Sequence, residues 1–392
     1  MRSPVLVALG IAATLATSGT ARAQGYLLDR FDPSERGSEW FGSDSLDLRG
    51  KVRVAAGFVG AFAYRPLVVL SGGTTTTAIV EQSWVVHTGA SVVLLDQVRL
   101  GFDLPLYAYQ TGTTAVVATD FVKAPTDAQS FGDVRFGATL RLFGKHGDPM
   151  TGAFSGLFYL PTGSPASYTG DGIVRGGGNV AVAGDVGTFT YAANLGLHIR
   201  PELSGPAADG LGVEVRYGAA AGLRVLDGHL VLGPEIFGAV VVGNAANDVT
   251  ARSTPLEGVM GAHVTLGRAW TKFRIGVGAG AGLTRGLGTP RARALLDFEW
   301  TPDVVPPPAP APVPVDTDAD GVPDDTDACT TIAGVASADR LKNGCPKAKD
   351  ADNDGFTDDV DACPSLPGVA EDDPTKQGCP AGETPTDAPP PQ

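Results

Sequence analysis

Beyond its first two dozen residues the chain has no apolar run long enough for a membrane helix, so any membrane crossing must be made by strands. Most of it also lacks net charge. Residues 303–392 hold 19 Asp or Glu against 5 Lys or Arg, a net of −14 that equals the charge of the whole chain, so residues 1–302 sum to zero. With no basic surface to offer phosphates, nucleic acid is not expected as a partner. Cysteine is absent before Cys329, and all four cysteines fall in the acidic part. The five histidines, His87, His146, His198, His229 and His263, are scattered without metal-ligand spacing. No Ser/His/Asn or Asp/His grouping suited to a hydrolase stands out, and Gly276-Val277-Gly278-Ala279-Gly280 reads as strand glycines, not a phosphate loop. The expectation is a protein that is not an enzyme.

The start has three recognisable parts: basic Met1-Arg2, an apolar stretch from Val5 to Ala16, and Ala21-Arg22-Ala23 before Gln24. Together they predict a secretory signal peptide over 1–23. No cysteine follows Ala23, so a lipid anchor there is not expected. Export to an oxidising space agrees with cysteines able to pair.

Residues 24–301 are dominated by alternation, the mark of a strand with two unlike faces. From Val98 to Leu106 one face carries Val98, Leu100, Phe102, Leu104 and Leu106, the other Arg99 and Asp103. From Asp133 to Leu142, Val134, Phe136, Leu140 and Leu142 oppose Asp133, Arg135, Thr139 and Arg141. The same holds for Phe189 to Arg200, for Val213 to Tyr217 about Glu214 and Arg216, and for Phe273 to Val277 about Arg274. Twelve such segments are predicted: 50–64, 79–94, 97–109, 131–144, 151–161, 177–186, 189–200, 211–225, 229–242, 256–268, 271–283 and 292–300. Tight links at Asp96-Gln97, Gly187-Thr188 and Asp227-Gly228 alternate with long Gly/Thr/Ser/Pro-rich ones, among them 161–176 with Gly176-Gly177-Gly178 at its end. A soluble sandwich also alternates. Segment length, link alternation and aromatics near segment ends (Tyr64, Trp84, Tyr107, Tyr109, Tyr159, Trp270, Trp300) favour an all-β, antiparallel transmembrane β-barrel of about 12 strands. Its short turns would face the periplasm, and the lumen would be closed by ion pairs among Arg99, Arg135, Arg141, Arg200, Arg216, Arg274, Asp103, Asp133 and Glu214. The last segment sets Leu296, Phe298 and Trp300 outward, which resembles the signal read by the barrel-insertion machinery.

Residues 302–315 form a Pro-rich linker suited to a polyproline II spacer. Then an acidic phrase occurs twice over 316–380. Counting Asp316 as position 1 places Asp318 at 3, Asp320 at 5, Gly321 at 6, the Val322 carbonyl at 7, Asp324 at 9 and Asp327 at 12. The second copy places Asp350, Asp352, Asp354, Gly355, Phe356, Asp358 and Asp361 identically. Oxygens at 1, 3, 5, 7, 9 and 12 with glycine at 6 are what a Ca2+ loop supplies. Position 12 is Asp and no amphipathic helix flanks either loop, so these are not EF-hands. The affinity expected is ~10⁻⁴–10⁻³ M, that of extracytoplasmic modules.

The pattern D-x-D-x-D-G-x-x-D-x-x-D-x-C resembles the thrombospondin type 3 repeat. That resemblance implies calcium wrapped by chain with little core, and disulfides Cys329–Cys345 and Cys363–Cys379. Phe131 to Phe143 and Tyr159 to Gly163 look like the barrels of OmpA-family outer-membrane proteins, which often run barrel, Pro-rich linker, thrombospondin repeats and then a peptidoglycan-binding domain. Only Pro380 to Gln392 follow Cys379 here, with a disordered tail expected over 381–392, so peptidoglycan binding is not expected. The resemblance implies the outer membrane of a Gram-negative bacterium with repeats in the periplasm. Outer-membrane lipid, the insertion machinery and periplasmic proteins are the expected partners. A structural or envelope-interaction role comes first, a porin or transport barrel second and calcium-dependent adhesion third.

Overall fold

A computed structural model describes residues 25–71, 74–117, 120–200, 212–243, 249–303 and 314–382. The expected signal peptide, residues 304–313 of the linker and the tail beyond 382 lie outside the described residues. The chain divides into two compact units, Met1–Val305 and Pro306–Gln392.

The first unit is a closed antiparallel barrel of twelve strands. In chain order they are β1 (Val52–Ser71), β2 (Thr74–Leu94), β3 (Val98–Thr111), β4 (Val134–Phe143), β5 (Thr151–Leu160), β6 (Arg175–Val186), β7 (Phe189–Ile199), β8 (Val213–Val225), β9 (Leu230–Gly243), β10 (Leu256–Leu266), β11 (Phe273–Gly282) and β12 (Ala292–Trp300). Each pairs with its chain neighbour, and β1 closes on β12 from Ala56 opposite Trp300 to Tyr64 opposite Ala292. A cylinder closed this way leaves no edge strand to cap. Links of two to seven residues (95–97, 144–150, 187–188, 226–229, 267–272) gather at one end, and most of the long ones at the other.

All twelve predicted segments are strands. Two differences are informative. β1 and β2 run to 20 and 21 residues, taking up most of the link expected at 65–78. The β-branched run Thr74–Thr77 is at home in a strand, and a bulge at Arg65-Pro66 lets the hairpin bend. Gly176-Gly177-Gly178, expected in a loop, belong to β6. Packing explains this: a Cβ on Gly177 would stand 2.4 Å from the Leu197 carbonyl, so this crowded wall needs glycine.

The distribution of side chains is inside-out for a water-soluble protein. Val52, Leu100, Phe136, Leu195, Val277 and Leu296 are exposed on the outer face, while Arg99, Asp103, Glu214, Arg274, Asp297 and Glu299 are buried on the inner one. Outward rings meet across strands, as Phe58 with Phe298 and Phe273 with Phe298. At the short-link end the Trp300 indole donates to the Trp270 carbonyl at 2.7 Å. Tyr107 and Tyr159 depart from the expected girdle: both are buried in the lumen. The Tyr159 hydroxyl donates to Asp32, a polar partner that a lipid-facing ring would not find.

The second unit has neither a helix nor a ladder among its described residues, only turns and an isolated bridge from Val335 to Cys345. Disulfides Cys329–Cys345 and Cys363–Cys379 close two loops of equal length.

Candidate functional site

Two places gather charged groups: the barrel lumen and the acidic loops of the second unit.

The lumen is filled by the chain itself. Residues 25–50 form neither helix nor strand, yet most are buried and only Arg49 is exposed. They enter near the long-loop end, where the Leu28 amide donates to the Tyr168 carbonyl at 3.1 Å, and leave at the turn end, where the Gly50 amide donates to Asp96 at 2.6 Å. Apolar anchors hold the segment at three levels. Tyr26 and Leu28 pack with Ile79, Val80 and Leu287; Phe31 and Phe41 with Val59, Val259 and Leu295; Trp40, Leu46 and Leu48 with Val93, Ala153 and Ala220. Glycine makes room for it: a Cβ on Gly101 or Gly137 would stand 1.7 or 2.2 Å from the Glu35 carboxylate.

Between the anchors, charges of the segment meet charges of the wall. Asp29 reaches Arg293 at 2.7 Å, Glu39 takes both arms of Arg224 at 2.7 and 2.6 Å, and Arg36 reaches Asp103 at 2.8 Å. Arg30 pairs with Glu214, Asp44 with Arg99, and Asp32 with Arg135. Glu235 on β9 accepts the amides of Phe41, Gly42 and Ser43 at 2.7, 3.0 and 3.3 Å. Arginine suits such buried pairs because its planar fork keeps its charge and bonds in two directions. The wall adds its own pairs, Arg200 to Asp171 and Glu214 and Arg175 to Asp133.

Of the residues expected to line the lumen, all but Arg141 take part in this network. Arg141, near the turn end, is only half-buried. Beside the segment remains a cavity of about 130 Å³ whose lining includes Asp32, Glu35, Arg135, Asn194, His198 and Arg216. Sequence reasoning missed the filling segment because its partners lie on strands up to 264 positions away and its residues follow no period. The available signal was compositional: D-R-F-D-P-S-E-R from Asp29 to Arg36, then Trp40-Phe41, is too charged and too aromatic for an idle leader.

The acidic loops share a set of equivalent bonds. In the first, Gly321 donates to Asp316, Val322 and Gly334 to the two oxygens of Asp320, and Cys329 to Asp327. In the second, Gly355 donates to Asp350, Phe356 and Gly368 to Asp354, and Cys363 to Asp361. Gly321 and Gly355 adopt φ of 91° and 99°, the left-handed turn their position requires. Carboxylate oxygens of Asp316, Asp318 and Asp320, and of Asp350, Asp352 and Asp354, converge within 4.8 Å of one another. Five carboxylate oxygens here, on Asp316, Asp318, Asp327, Asp352 and Asp361, are buried with no hydrogen-bond partner. Lost solvation first, then neighbouring carboxylates, push the Asp318 and Asp352 carboxyls above the ordinary aspartate range. Unpartnered carboxylates in a ring of like charge fit a hard divalent cation.

Position 9 stands apart. Asp324 accepts from the Thr317 amide and hydroxyl at 2.8 and 2.7 Å, and Asp358 accepts from the Ala351 amide at 2.8 Å and pairs with Lys349. Both brace the loop from outside the three-carboxylate cluster.

The thrombospondin type 3 repeat family matches residues 315–337 and 344–371. No curated protein sequence matches the chain. Among solved structures, the barrel is similar to the COG4313 outer membrane channel from Pseudomonas putida F1, at 14% identity over 67% of this chain and 99% of that one, with a TM-score of 0.45. It is also similar to the translocator domain of the autotransporter NalP from Neisseria meningitidis (16%, 66% and 91%, 0.34) and to LpxR from Salmonella typhimurium (11%, 62% and 99%, 0.32). These likenesses concern the fold alone. The strand pairing and the repeat match together define a closed twelve-strand antiparallel barrel followed by thrombospondin type 3 repeats.

Proposed function

We propose that this is a Gram-negative outer-membrane barrel of OmpA-like plan, closed to solutes by its own N-terminal segment and carrying a calcium-binding appendage in the periplasm. Its work is structural, in organising the envelope, and not enzymatic. The observation that carries this reading is the filled lumen, in which residues 25–50 occupy the space a porin leaves to water. The exposed apolar outer face supports a lipid surround. The converging carboxylates of the repeats support Ca2+ as the ion, held by Asp316, Asp318 and Asp320 with Asp327 near by, and by Asp350, Asp352 and Asp354 with Asp361. Short links at the end where β12 finishes support placing that end, and the repeats after it, in the periplasm. Periplasmic proteins are the partners such an appendage would meet.

Cell fractionation tests the placement. The mature chain should sediment with the outer membrane, migrate heat-modifiably in detergent, and keep its repeats shielded from protease on intact cells. Recovery in the cytosol or inner membrane contradicts it, and repeats cleaved on intact cells would favour adhesion instead.

A further inference from the structure

Each acidic loop is followed by a disulfide loop whose backbone holds two of its carboxylates. Gly334, inside the loop closed by Cys329–Cys345, donates its amide to Asp320 at 2.8 Å. The Cys329 amide donates to Asp327 at 2.6 Å. In the second repeat Gly368 and Cys363 donate to Asp354 and Asp361 at 2.8 and 2.7 Å. Asp320 and Asp354 belong to the converging clusters, and Asp327 and Asp361 each keep their other oxygen buried without a hydrogen-bond partner. Asp361 is only 8% exposed. Positions 5 and 12 are therefore set by backbone that the disulfide closes.

The far end of each disulfide reaches the same place. The Val335 amide donates to the Cys345 carbonyl at 3.1 Å, and Gly344 donates back to the Val335 carbonyl at 3.1 Å, which fixes Gly334 beside Cys345. Val369, Cys379 and Gly378 repeat this at 3.1 and 3.2 Å. Gly344 and Gly378 both turn at a φ of 75°, and a Cβ there would stand 2.0 or 2.1 Å from the carboxylate of Asp327 or Asp361. Glycine lets the chain entering the second cysteine pass against the position-12 carboxylate. Asp316 and Asp350 differ, because the amides they accept, from Gly321 and from Asn353 and Gly355, lie within the acidic loops.

We propose that the disulfide and the calcium loop of each repeat are coupled, which makes the repeats redox-sensitive calcium sites. Opening Cys329–Cys345 frees the backbone that holds Asp320 and Asp327, and the second pair does the same for Asp354 and Asp361. A dithiol supplies the two electrons and two protons, becoming a disulfide as the two cysteines become thiols. Coupling between two sites is reciprocal, so calcium favours the disulfide by the factor by which the disulfide favours calcium. The inference rests on reading the acidic loops as calcium sites.

The test equilibrates the full chain, in detergent, with a dithiothreitol redox buffer in excess calcium or in chelator, then alkylates it and counts thiols by peptide mass spectrometry. Calcium should raise the equilibrium constant for each disulfide about tenfold, inside the roughly 5–150-fold usual for coupled sites. Calcium titration of the chain held oxidised or held reduced should return the same factor as a loss of affinity. In the variant Cys363→Ser/Cys379→Ser the second loop should weaken while the first pair keeps its full shift. Loss of that shift as well would overturn loop-by-loop coupling, since the unit would then be collapsing as a whole. A disulfide equilibrium indifferent to calcium, in an oxidised chain that binds it, would overturn the proposal and leave the calcium sites standing. An oxidised chain that takes up no calcium would overturn the calcium reading itself.

Discussion

Chelating calcium should strip the repeats of their fold while the barrel stays intact. Among its described residues the second unit has no hydrophobic cluster comparable to those of the lumen, and two disulfides with Asp-to-amide bonds hold it together. A unit so poor in core needs other support, and metal-binding energy becomes folding energy where the site exists only in the folded state. At a free ion concentration a hundredfold above Kd, binding contributes about 2.7 kcal/mol. Limited trypsin digestion reads this directly, because Arg340, Lys342, Lys347, Lys349 and Lys376 lie within the unit. In excess calcium these sites should resist; in chelator they should be cut while the barrel fragment survives. Asp318→Asn should weaken calcium binding roughly tenfold or more, since charge-assisted contacts are worth ~1.5–3 kcal/mol each. Asp324→Asn should cost less, because Asp324 binds Thr317 and an amide oxygen can still accept there. Equal losses for the two would return position 9 to the ion's own ligand ring.

The second large effect belongs to Arg135. It is buried on β4, pairs with Asp32, donates to the Pro33 carbonyl at 2.8 Å and stands 3.4 Å from Glu35. Arg135→Ala leaves Asp32 to Arg216 and Tyr159, but no other ion pair reaches Glu35 among the described residues. A buried carboxylate without its counter-charge costs about 3–5 kcal/mol. The barrel should unfold at correspondingly lower guanidinium, followed by tryptophan emission, with Trp40 reporting from the segment. Adding Glu35→Gln should recover part of the loss, since neighbours in one network do not add. If both variants unfold with the wild type, the segment is not held by charge.

The barrel was legible because strand periodicity is local. Leu100 and Arg99 declare opposite faces two atoms of chain apart, and twelve such declarations produced the right strands. The repeats were legible for a related reason: their carboxylates lie within a dozen residues of one another, so spacing alone brings three of them together in each loop. What stayed hidden depends on distant partners. Tyr159 reads as a girdle aromatic until Asp32 is known to lie inside the barrel. Glu235 looks like another lumenal charge, whereas its role is to gather three amides from Phe41 to Ser43. Asp324 fits an EF-hand position by count, and its bonds to the Thr317 amide and hydroxyl are ones that spacing could not foretell.

The central claim is that the lumen is closed by residues 25–50, and planar-bilayer recording tests it most directly. The full chain should insert without steady conductance. A variant lacking residues 26–48, inserted equally well, should show resolved conducting steps. Steady conductance from the full chain, or silence from both proteins, would contradict the account.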